Sequence, residues 1–346
     1  MEDTESRDLE KNQRRTEKVN KGKKKRRKTR KTRIDKRHGT KNKEEKPIKI
    51  LYNNINGQAN KMWEEIKEMK NREKYNLICL TETKWQEGAK HKTLEGYKEE
   101  IAKRPPETKK GGGIVVYMRK EDKSYKWEDK NGNTDEMRTE ILWTIIKTKI
   151  EDIAVGTLYM ASGEGQKARD WNDKIEELVN NDVHEMYEEG KRIILIGDFN
   201  GHIAEEDGGV HGCTHQTNIN GERIKRIMKH NNLHMINKIE QCRGKWTWMA
   251  RDRKSIVDYV LADQTITNKI KSMTIDDEGK KLAQQSDHNW IELEIKAEVE
   301  QTSNLRKEQM GTRWKINPNT NWDKYREEIN HMLNKWMEEN NKGGEK

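Results

Sequence analysis

The sequence predicts a layered α/β sandwich in which largely antiparallel sheets are covered by helices. Short apolar runs of strand length alternate with amphipathic stretches of helical period, so both kinds of element are expected. Residues 113–118, 141–150 and 153–159 are successive strand candidates with no helical pattern between them. A doubly wound parallel sheet needs a helix in each crossover, and this order therefore favours antiparallel pairing instead.

The strand candidates are apolar runs bounded by glycine or polar segments. They span residues 48–53, 77–81, 113–118, 141–150, 153–159, 192–197, 256–261 and 290–295. Helical spacing of apolar residues appears between them, at Met62, Ile66 and Met69 and again from Trp171 to Met186. A third helix is predicted over residues 221–231.

Positive charge is concentrated in the first 47 residues. They hold 20 Lys and Arg against nine Asp and Glu, a net charge of +11, whereas the whole chain carries +10 and the remainder therefore −1. The run from Lys21 to Arg37 offers almost no apolar surface to offset the entropy of ordering, so we expect residues 1–47 to form a disordered basic arm. Such a run is typical of nuclear import or nucleic-acid contact, and a solubilising tail is the alternative.

The rest of the chain divides at a polar stretch. Residues 48–297 contain all the strand candidates and are predicted to form one domain. Residues 298–320 are polar and include Pro318, which indicates a linker. Apolar residues within 321–346 recur at helical spacing and predict a C-terminal amphipathic helix, whose apolar face packs on the sandwich or faces another domain.

Composition excludes several classes of protein. No stretch reaches the roughly 18 to 20 apolar residues of a membrane span, and the N-terminus lacks the apolar core of a signal peptide. Cys79, Cys213 and Cys242 are too few, and odd in number, for a disulfide framework. We therefore expect an intracellular, soluble protein with no membrane partner, nuclear in location. His211, Cys213 and His215 lack the further ligand pair that structural zinc requires.

Polar side chains follow three of the predicted strands where each strand ends. Asn54 follows the first strand, Glu82 the second, and Asp198 and Asn200 follow the run that ends at residue 197. Mg²⁺ takes carboxylate oxygens, and Glu82 is the strongest ligand candidate because an acid at the end of an apolar strand is poorly solvated; the alternative is a surface Glu. Asp198 can hold or deprotonate a water and Asn200 can donate to the same centre, although Asp-x-Asn also forms ordinary turns.

A second group of candidates lies near the end of the predicted domain. Asp258 stands among apolar neighbours and therefore needs a partner, for which we choose His288. A histidine near a strand is often structural, but one whose tautomer is fixed by an acid can act on a phosphate or as a general base. Together with the strand-end acids and amides, this pair predicts metal-assisted attack on a phosphodiester.

Seven motifs occur in a fixed order along the chain. They are Asn54-Ile55-Asn56-Gly57, Leu80-Thr81-Glu82-Thr83, Gly111-Gly112-Gly113-Ile114-Val115-Val116-Tyr117, Gly197-Asp198-Phe199-Asn200, Trp246-Thr247-Trp248, Val257-Asp258-Tyr259-Val260-Leu261 and Ser286-Asp287-His288. In this order they resemble the endonuclease/exonuclease/phosphatase superfamily, and most of all the endonuclease domain of non-LTR retrotransposons, including the craniofacial-development-protein-2-like copies. The resemblance covers about residues 48–297.

The resemblance implies a four-layered, deoxyribonuclease-I-like α/β sandwich that cleaves a DNA strand with Mg²⁺, or with Mn²⁺ in its place. Carried over position by position, the metal would be bound by Asn54 and Glu82, with Asn56 beside them and Asp287 nearby. The catalytic residues would be Asp198, Asn200, Asp258, His288 and Tyr159.

Two features depart from the family pattern. The segment after Tyr159 lacks the proline that usually follows two residues later, which weakens the assignment of this tyrosine to the phosphate. The chain also holds no Tyr/Phe-x-Asp-Asp polymerase motif, so we expect an endonuclease without a reverse transcriptase. The rival hypotheses are a non-catalytic DNA- or chromatin-binding protein derived from such an element, and a superfamily relative that acts on RNA or on phosphoinositide.

Overall fold

The computed structural model describes residues 47–85, 90–102, 112–128, 140–213, 215–279, 286–302 and 322–341. The strands are β1 (Ile48–Asn54), β2 (Leu77–Thr81), β3 (Tyr97–Ala102), β4 (Ile114–Arg119), β5 (Ser124–Lys126), β6 (Ile141–Ile146), β7 (Ile153–Tyr159), β8 (Arg192–Asp198), β9 (Leu233–Met235), β10 (Cys242–Arg243), β11 (Trp248–Ala250), β12 (Arg253–Ser255), β13 (Asp258–Asp263), β14 (Ile270–Ile275) and β15 (Ile291–Ile295). The helices are α1 (Ala59–Glu73), α2 (Gln166–Glu188), α3 (Ile219–Asn231), α4 (Gln264–Thr267) and α5 (Trp322–Asn341), with a 3-10 turn at Ile236–Lys238.

Two large sheets form the centre of the protein. One has seven strands in the order β10-β14-β15-β1-β2-β4-β3, and the other has six in the order β5-β6-β7-β8-β13-β9. Most neighbours are antiparallel, while β1 with β2, β7 with β8, and β10 with β14 are parallel. Strands β11 and β12 form a separate hairpin. These mixed, mainly antiparallel sheets confirm the fold class that the sequence predicts.

Three apolar layers hold the elements together. The two sheets face each other across a core to which alternate residues of every central strand contribute, for example Ile48, Ile50 and Tyr52 of β1. On the outer face of the seven-stranded sheet, Leu51 of the same strand packs with helix α1. Helices α2 and α3 cover the outer face of the six-stranded sheet. The order of layers is therefore helix, sheet, sheet, helices.

Some predicted strands differ in their bounds from the observed strands, and others were missed because they contain polar residues. The predicted strand 141–150 ends at Ile146, because the polar residues after it form the turn into β7. The predicted strand 256–261 begins at Asp258 and extends to Asp263. Strands β3 and β14 escaped prediction because alternate residues are polar, as expected near the edge of a sheet.

The described residues fall into two compact units, those up to Glu300 and those from Gln301 onward. The predicted basic arm lies outside the described residues apart from Pro47, and so does most of the predicted linker. The sandwich continues past residue 297, since Val299 pairs with Thr148. Helix α5 exposes Met332 and Leu333. Among the helices described, none has the length and apolarity needed to cross a membrane.

Candidate active site

The register of the six-stranded sheet places three predicted residues side by side. Tyr159 at the end of β7 is the partner of Asp198 at the end of β8, and Asp198 is also the partner of Asp258 at the start of β13. Since β7 and β8 are parallel and β13 is antiparallel to β8, two strand ends and one strand start coincide at one edge. All three residues are buried.

The seven-stranded sheet brings further residues to the facing edge. Asn54 ends β1, and Glu82 directly follows β2, which runs parallel to β1. The segment before β15 is attached to β1 by two hydrogen bonds. Ser286 Oγ donates to the Asn54 carbonyl at 2.6 Å, and Asn53 Nδ2 donates to the His288 carbonyl at 3.1 Å.

Direct side-chain contacts join the two sheets at this edge. Asn54 Nδ2 donates to Asp198 Oδ2 over 2.8 Å. His288 Nδ1 lies 2.8 Å from Asp258 Oδ2, and its Nε2 lies 3.9 Å from Asp198 Oδ2. The Asp258–His288 pair chosen from the sequence is therefore in contact, and the second ring nitrogen faces a second acid.

Asp198 is a buried carboxylate surrounded by donors. Its Oδ1 accepts from the Asn200 backbone N–H at 2.9 Å, and its Oδ2 accepts from Asn200 Nδ2 at 3.1 Å. Burial raises the pKa of Asp198 to about 7; the Asp258 charge adds to this rise, while His288 and the donors oppose it. A carboxylate with a pKa near neutrality accepts a proton more readily than an ordinary one, which suits a group that deprotonates water.

His288 is cationic although it is buried. Burial by itself lowers the pKa of His288, but the charge and hydrogen bond of Asp258, together with the charges of Asp198 and Asp287, outweigh it and raise the pKa to about 9. Both ring nitrogens therefore carry protons at neutral pH, and Asp258 holds the one on Nδ1. The Nε2–H of this positively charged ring can therefore stabilise a negatively charged oxygen at the site.

A buried polar network holds the loops next to Asp198. Asn172 Oδ1 accepts from the Ala161 backbone N–H at 2.8 Å, and Asn172 Nδ2 donates to Asn220 Oδ1 at 3.0 Å. Asn220 Nδ2 in turn donates to the Asn200 carbonyl at 3.1 Å, while Arg223 Nη1 donates to Asn220 Oδ1 at 2.8 Å. Helices α2 and α3 thus fix the peptide that follows Asn200.

Oxygen-bearing side chains line the outer part of the site. Tyr159 Oη donates to Glu82 Oε1 over 3.4 Å, and Lys84 Nζ lies 3.8 Å from the same oxygen. Lys84 Nζ also donates to Asn56 Oδ1, and Asn56 Nδ2 donates to Asp287 Oδ1 at 3.2 Å. These contacts bring all the remaining predicted site residues together in one continuous rim.

Three of these residues have a left-handed backbone. The φ angles are 44° at Asn56, 52° at Glu82 and 45° at Asn200. A non-glycine residue in this region costs on the order of 1 kcal/mol or more and persists only where its surroundings impose it, as they do at many functional sites. Each of the three lies one or two residues beyond a strand end, in the turn that follows the strand.

The rim contains the hard oxygen donors that a divalent cation of the Mg²⁺ type requires. The Glu82 carboxylate is partly exposed and has only long contacts among the described residues, 3.4 Å to Tyr159 and 3.8 Å to Lys84. Because the Lys84 ammonium already lies among the oxygens of Glu82 and Asn56, this rim accommodates positive charge. Glu82, Asp287 and the side-chain carbonyl of Asn54 therefore fit a metal.

Asp198, Asp258 and His288 also lie close enough together to hold a cation. Hydrogen bonding does not separate this cluster from the rim, because carboxylates in both places accept from protein donors. The protonation of His288 does separate them, since an imidazolium offers no lone pair to a metal. A cationic His288 is therefore better suited to charge stabilisation than to metal binding.

The histidines and cysteine considered for zinc do not form a metal site among the described residues. His211 Nδ1 contacts Glu205 Oε1 at 2.5 Å. His215 stacks on His202 with ring centroids 4.6 Å apart. In the described part of the chain, the cluster around Asp198 is the group of three metal-competent side chains that converges.

Several residues of the site were not found from the sequence. Trp248 Nε1 donates to Asp287 Oδ2 at 2.9 Å, and Thr247 Oγ1 accepts from the backbone N–H of Asp258 at 3.0 Å. Burial tends to raise the pKa of Asp287, but the Trp248 hydrogen bond and the His288 charge lower it overall. The Trp-Thr-Trp motif around these positions was visible in the sequence, but its contacts depend on the fold.

A family model described as endonuclease-reverse transcriptase matches residues 155–292. Curated proteins give no significant match.

Several solved structures are similar to this protein in fold, although their sequence identity to it is low. The AP endonuclease LMAP from Leishmania major is 15% identical with a TM-score of 0.59, over 72% of this chain and 88% of that chain. The 3′ phosphatase NExo from Neisseria, bound to a product DNA hairpin, is 16% identical with a TM-score of 0.53, over 72% and 99%. The endonuclease domain of TRAS1, a telomere-specific non-LTR retrotransposon, is 15% identical with a TM-score of 0.50, over 72% and 98%.

The protein therefore has the fold of the AP endonucleases and of deoxyribonuclease I. The family model also confirms the resemblance stated from the sequence, over residues 155–292, and the TRAS1 domain agrees with it in fold.

Proposed function

We propose that this protein is a metal-dependent phosphodiester hydrolase that nicks DNA. The observation that supports this most strongly is the contact of Asp198, Asp258 and His288 across the two sheets, beside a rim of oxygen donors. It provides a proton acceptor, a fixed positive donor and a place for a cation, which are the groups that phosphodiester hydrolysis requires.

Asp198 is the group that orients and deprotonates the attacking water. Its raised pKa favours proton uptake, and the amides of Asn54 and Asn200 fix the direction of its oxygens. His288, with Nδ1–H held by Asp258, presents its positive Nε2–H to the charge that develops on the phosphate oxygens. Tyr159 lies at the same edge, where its hydroxyl can contact a phosphate.

The metal of this proposal is Mg²⁺, or Mn²⁺ in its place, bound by Glu82, Asn54 and Asp287, with Asn56 beside them. When bound, such an ion neutralises phosphate charge and polarises the phosphorus–oxygen bonds. The residues of the chain supply the ligands, orient the water and hold its proton.

DNA is the proposed substrate, and the proposed origin is the endonuclease part of a non-LTR retrotransposon. NExo was solved bound to a product DNA hairpin, and the TRAS1 domain comes from a non-LTR retrotransposon. The net charge of +11 in residues 1–47 also supports a polyanionic partner and a nuclear location. The body of the chain is near neutral, so it does not by itself separate DNA from RNA.

The decisive experiment compares supercoiled plasmid, short RNA and a soluble phosphate ester, each with Mg²⁺ and with excess chelator. We expect the plasmid to be nicked in Mg²⁺ and not in excess chelator. The Asp198→Asn variant should lose this nicking activity. Undiminished cutting in chelator would reject the metal mechanism. DNA binding without cleavage of any substrate would favour the non-catalytic binding protein, and preferred cleavage of RNA or of the ester would favour the other superfamily activities.

A further inference from the structure

Tyr52 is a buried tyrosine that connects the two sheets next to His288. It lies in β1 of the seven-stranded sheet, is fully buried, and donates its hydroxyl proton to Asp258 Oδ1 over 2.8 Å. Asp258 belongs to β13 of the other sheet. From the sequence, Tyr52 is predicted only to lie in the first strand.

The Asp258 carboxylate depends on this hydroxyl. Among the described residues, its side-chain donors are Tyr52 at Oδ1 and His288 at Oδ2, both at 2.8 Å. Thr247 and Asn237 bond only the Asp258 backbone, at its N–H and its carbonyl. The backbone is therefore fixed, but the rotation of the carboxylate about its last torsion is set by the phenol on one side and the imidazole on the other.

The direction of the hydrogen bonds is determined by the acid. An ionised carboxylate only accepts, so the single Tyr52 proton goes to Asp258. The Thr81 hydroxyl, 3.1 Å from Tyr52 Oη, then donates to the phenol oxygen. A chain of hydrogen bonds thus runs from Thr81, the residue before Glu82, through Tyr52 and Asp258 to His288.

We infer that Tyr52 is a positioning residue of the active site: its hydroxyl fixes the Asp258 carboxylate, which in turn fixes the ring of His288. This inference rests on the proposed function for its catalytic consequence. The orientation of the resting ring does not depend on that function. Among the described residues the Tyr52 hydroxyl forms its hydrogen bonds with Asp258 and Thr81, so its effect on His288 is transmitted through Asp258.

Tyr52→Phe is a sharp test because it removes one oxygen and leaves the ring that packs between the sheets. The readout is the Nδ1–H resonance of His288 in the full-length, 15N-histidine-labelled protein, assigned by its absence in His288→Gln. We expect this proton to move upfield and to exchange faster with water. Thr81→Val, which removes the donor to Tyr52, should shift it in the same direction by less.

The kinetic test separates positioning from folding. In Tyr52→Phe, kcat for plasmid nicking should fall about tenfold to a hundredfold, as outer partners of site residues typically do, with KM unchanged. Tyr117→Phe is the matched control, since Tyr117 is an equally buried tyrosine whose Oη donates to the Lys92 carbonyl away from the site, at 2.7 Å. It should leave both the resonance and kcat unaltered.

The outcomes distinguish the two proposals. An unchanged His288 resonance in Tyr52→Phe overturns the positioning role, whatever the activity. A shifted resonance in a protein that cleaves none of the substrates supports the positioning of His288 and rejects the nuclease function. Equal losses of kcat in Tyr52→Phe and Tyr117→Phe would show a general effect of lost buried hydroxyls and would also overturn the inference.

Discussion

His288 Nε2 lies 3.9 Å from Asp198 Oδ2, beyond hydrogen-bond distance but within range of a strong electrostatic interaction. The imidazolium lowers the pKa of the acid, yet burial and Asp258 still keep that pKa near 7. The separation therefore keeps the acid and the imidazolium from neutralising each other by direct contact. This arrangement leaves the proton acceptor and the positive donor available to the same substrate.

Replacement of Asp198 by Asn should abolish most nicking. The isosteric amide cannot accept a proton from water, and such groups are typically worth about 10²-fold or more in rate. The measurement is the single-turnover rate on supercoiled plasmid at saturating Mg²⁺. Asp170→Asn serves as the control and should cut normally, because this exposed acid lies on helix α2 and accepts a hydrogen bond from Gln166. A folded Asp198→Asn protein that retains the full rate would contradict the assignment.

The double replacement of Asp258 and His288 should cost little more than the worse single one. The two side chains act as one hydrogen-bonded unit, so removal of either disables the pair. Single-turnover rates of Asp258→Ala, His288→Ala and the double variant form the cycle. Rates that simply multiply across it would show that the residues work independently.

The stabilising effect of His288 should depend on pH. Its pKa in the folded protein is about 9, above the ordinary value of 6.5, so folding favours the protonated ring. The stability that this adds is fully present below about pH 6.5 and is lost as the pH rises through 9. Urea unfolding in chelator should therefore show a gap between wild type and His288→Gln that narrows over this range. A gap that stays constant from pH 6 to pH 10 would contradict the shift.

Asn220→Ala should reduce kcat more than its effect on stability explains. The change leaves the Asn200 carbonyl without this donor, and loss of a buried partner costs about 1–3 kcal/mol of folding free energy. Asn231→Ala removes a comparable buried amide at the end of α3, one that bonds Asn180 and Ile227 instead. We expect similar losses of stability in thermal unfolding but a fall in kcat only for Asn220→Ala. Equal kcat in the two variants would show that the network is purely structural.

Deletion of residues 1–47 should weaken DNA binding and flatten its salt dependence. The deletion removes a net charge of +11, and fewer counterions are then released when DNA binds. Cleavage at saturating DNA should survive, because all the site residues lie beyond residue 47. A variant with the Lys and Arg of residues 21–37 replaced by Gln separates charge from length. Unchanged affinity and salt slope would place the DNA contacts in the sandwich.

The sequence predicted those parts of the site that depend on local pattern. An acid after an apolar run, such as Glu82 or Asp198, is recognisable because the strand fixes where it points. Tyr52 was not recognisable, because its partner Asp258 is 206 residues away and becomes its neighbour only when the two sheets pack. The same holds for Asn172 and Asn220, whose amides bond loops that the sequence does not place together.

The pairing of β1 with β15 places the first residue of one strand beside the last residue of the other. Ile48, the first residue of β1, lies opposite Ile295, the last residue of β15, at the end of these strands away from Asn54 and His288. At about 3.3 Å per residue, the seven residues of β1 separate this end from the active edge by roughly 20 Å. A segment fused directly before Ile48 would therefore begin at the end of β1 that lies away from the candidate site. A fusion on the other side should follow residue 300, so that Val299 keeps its pairing with Thr148.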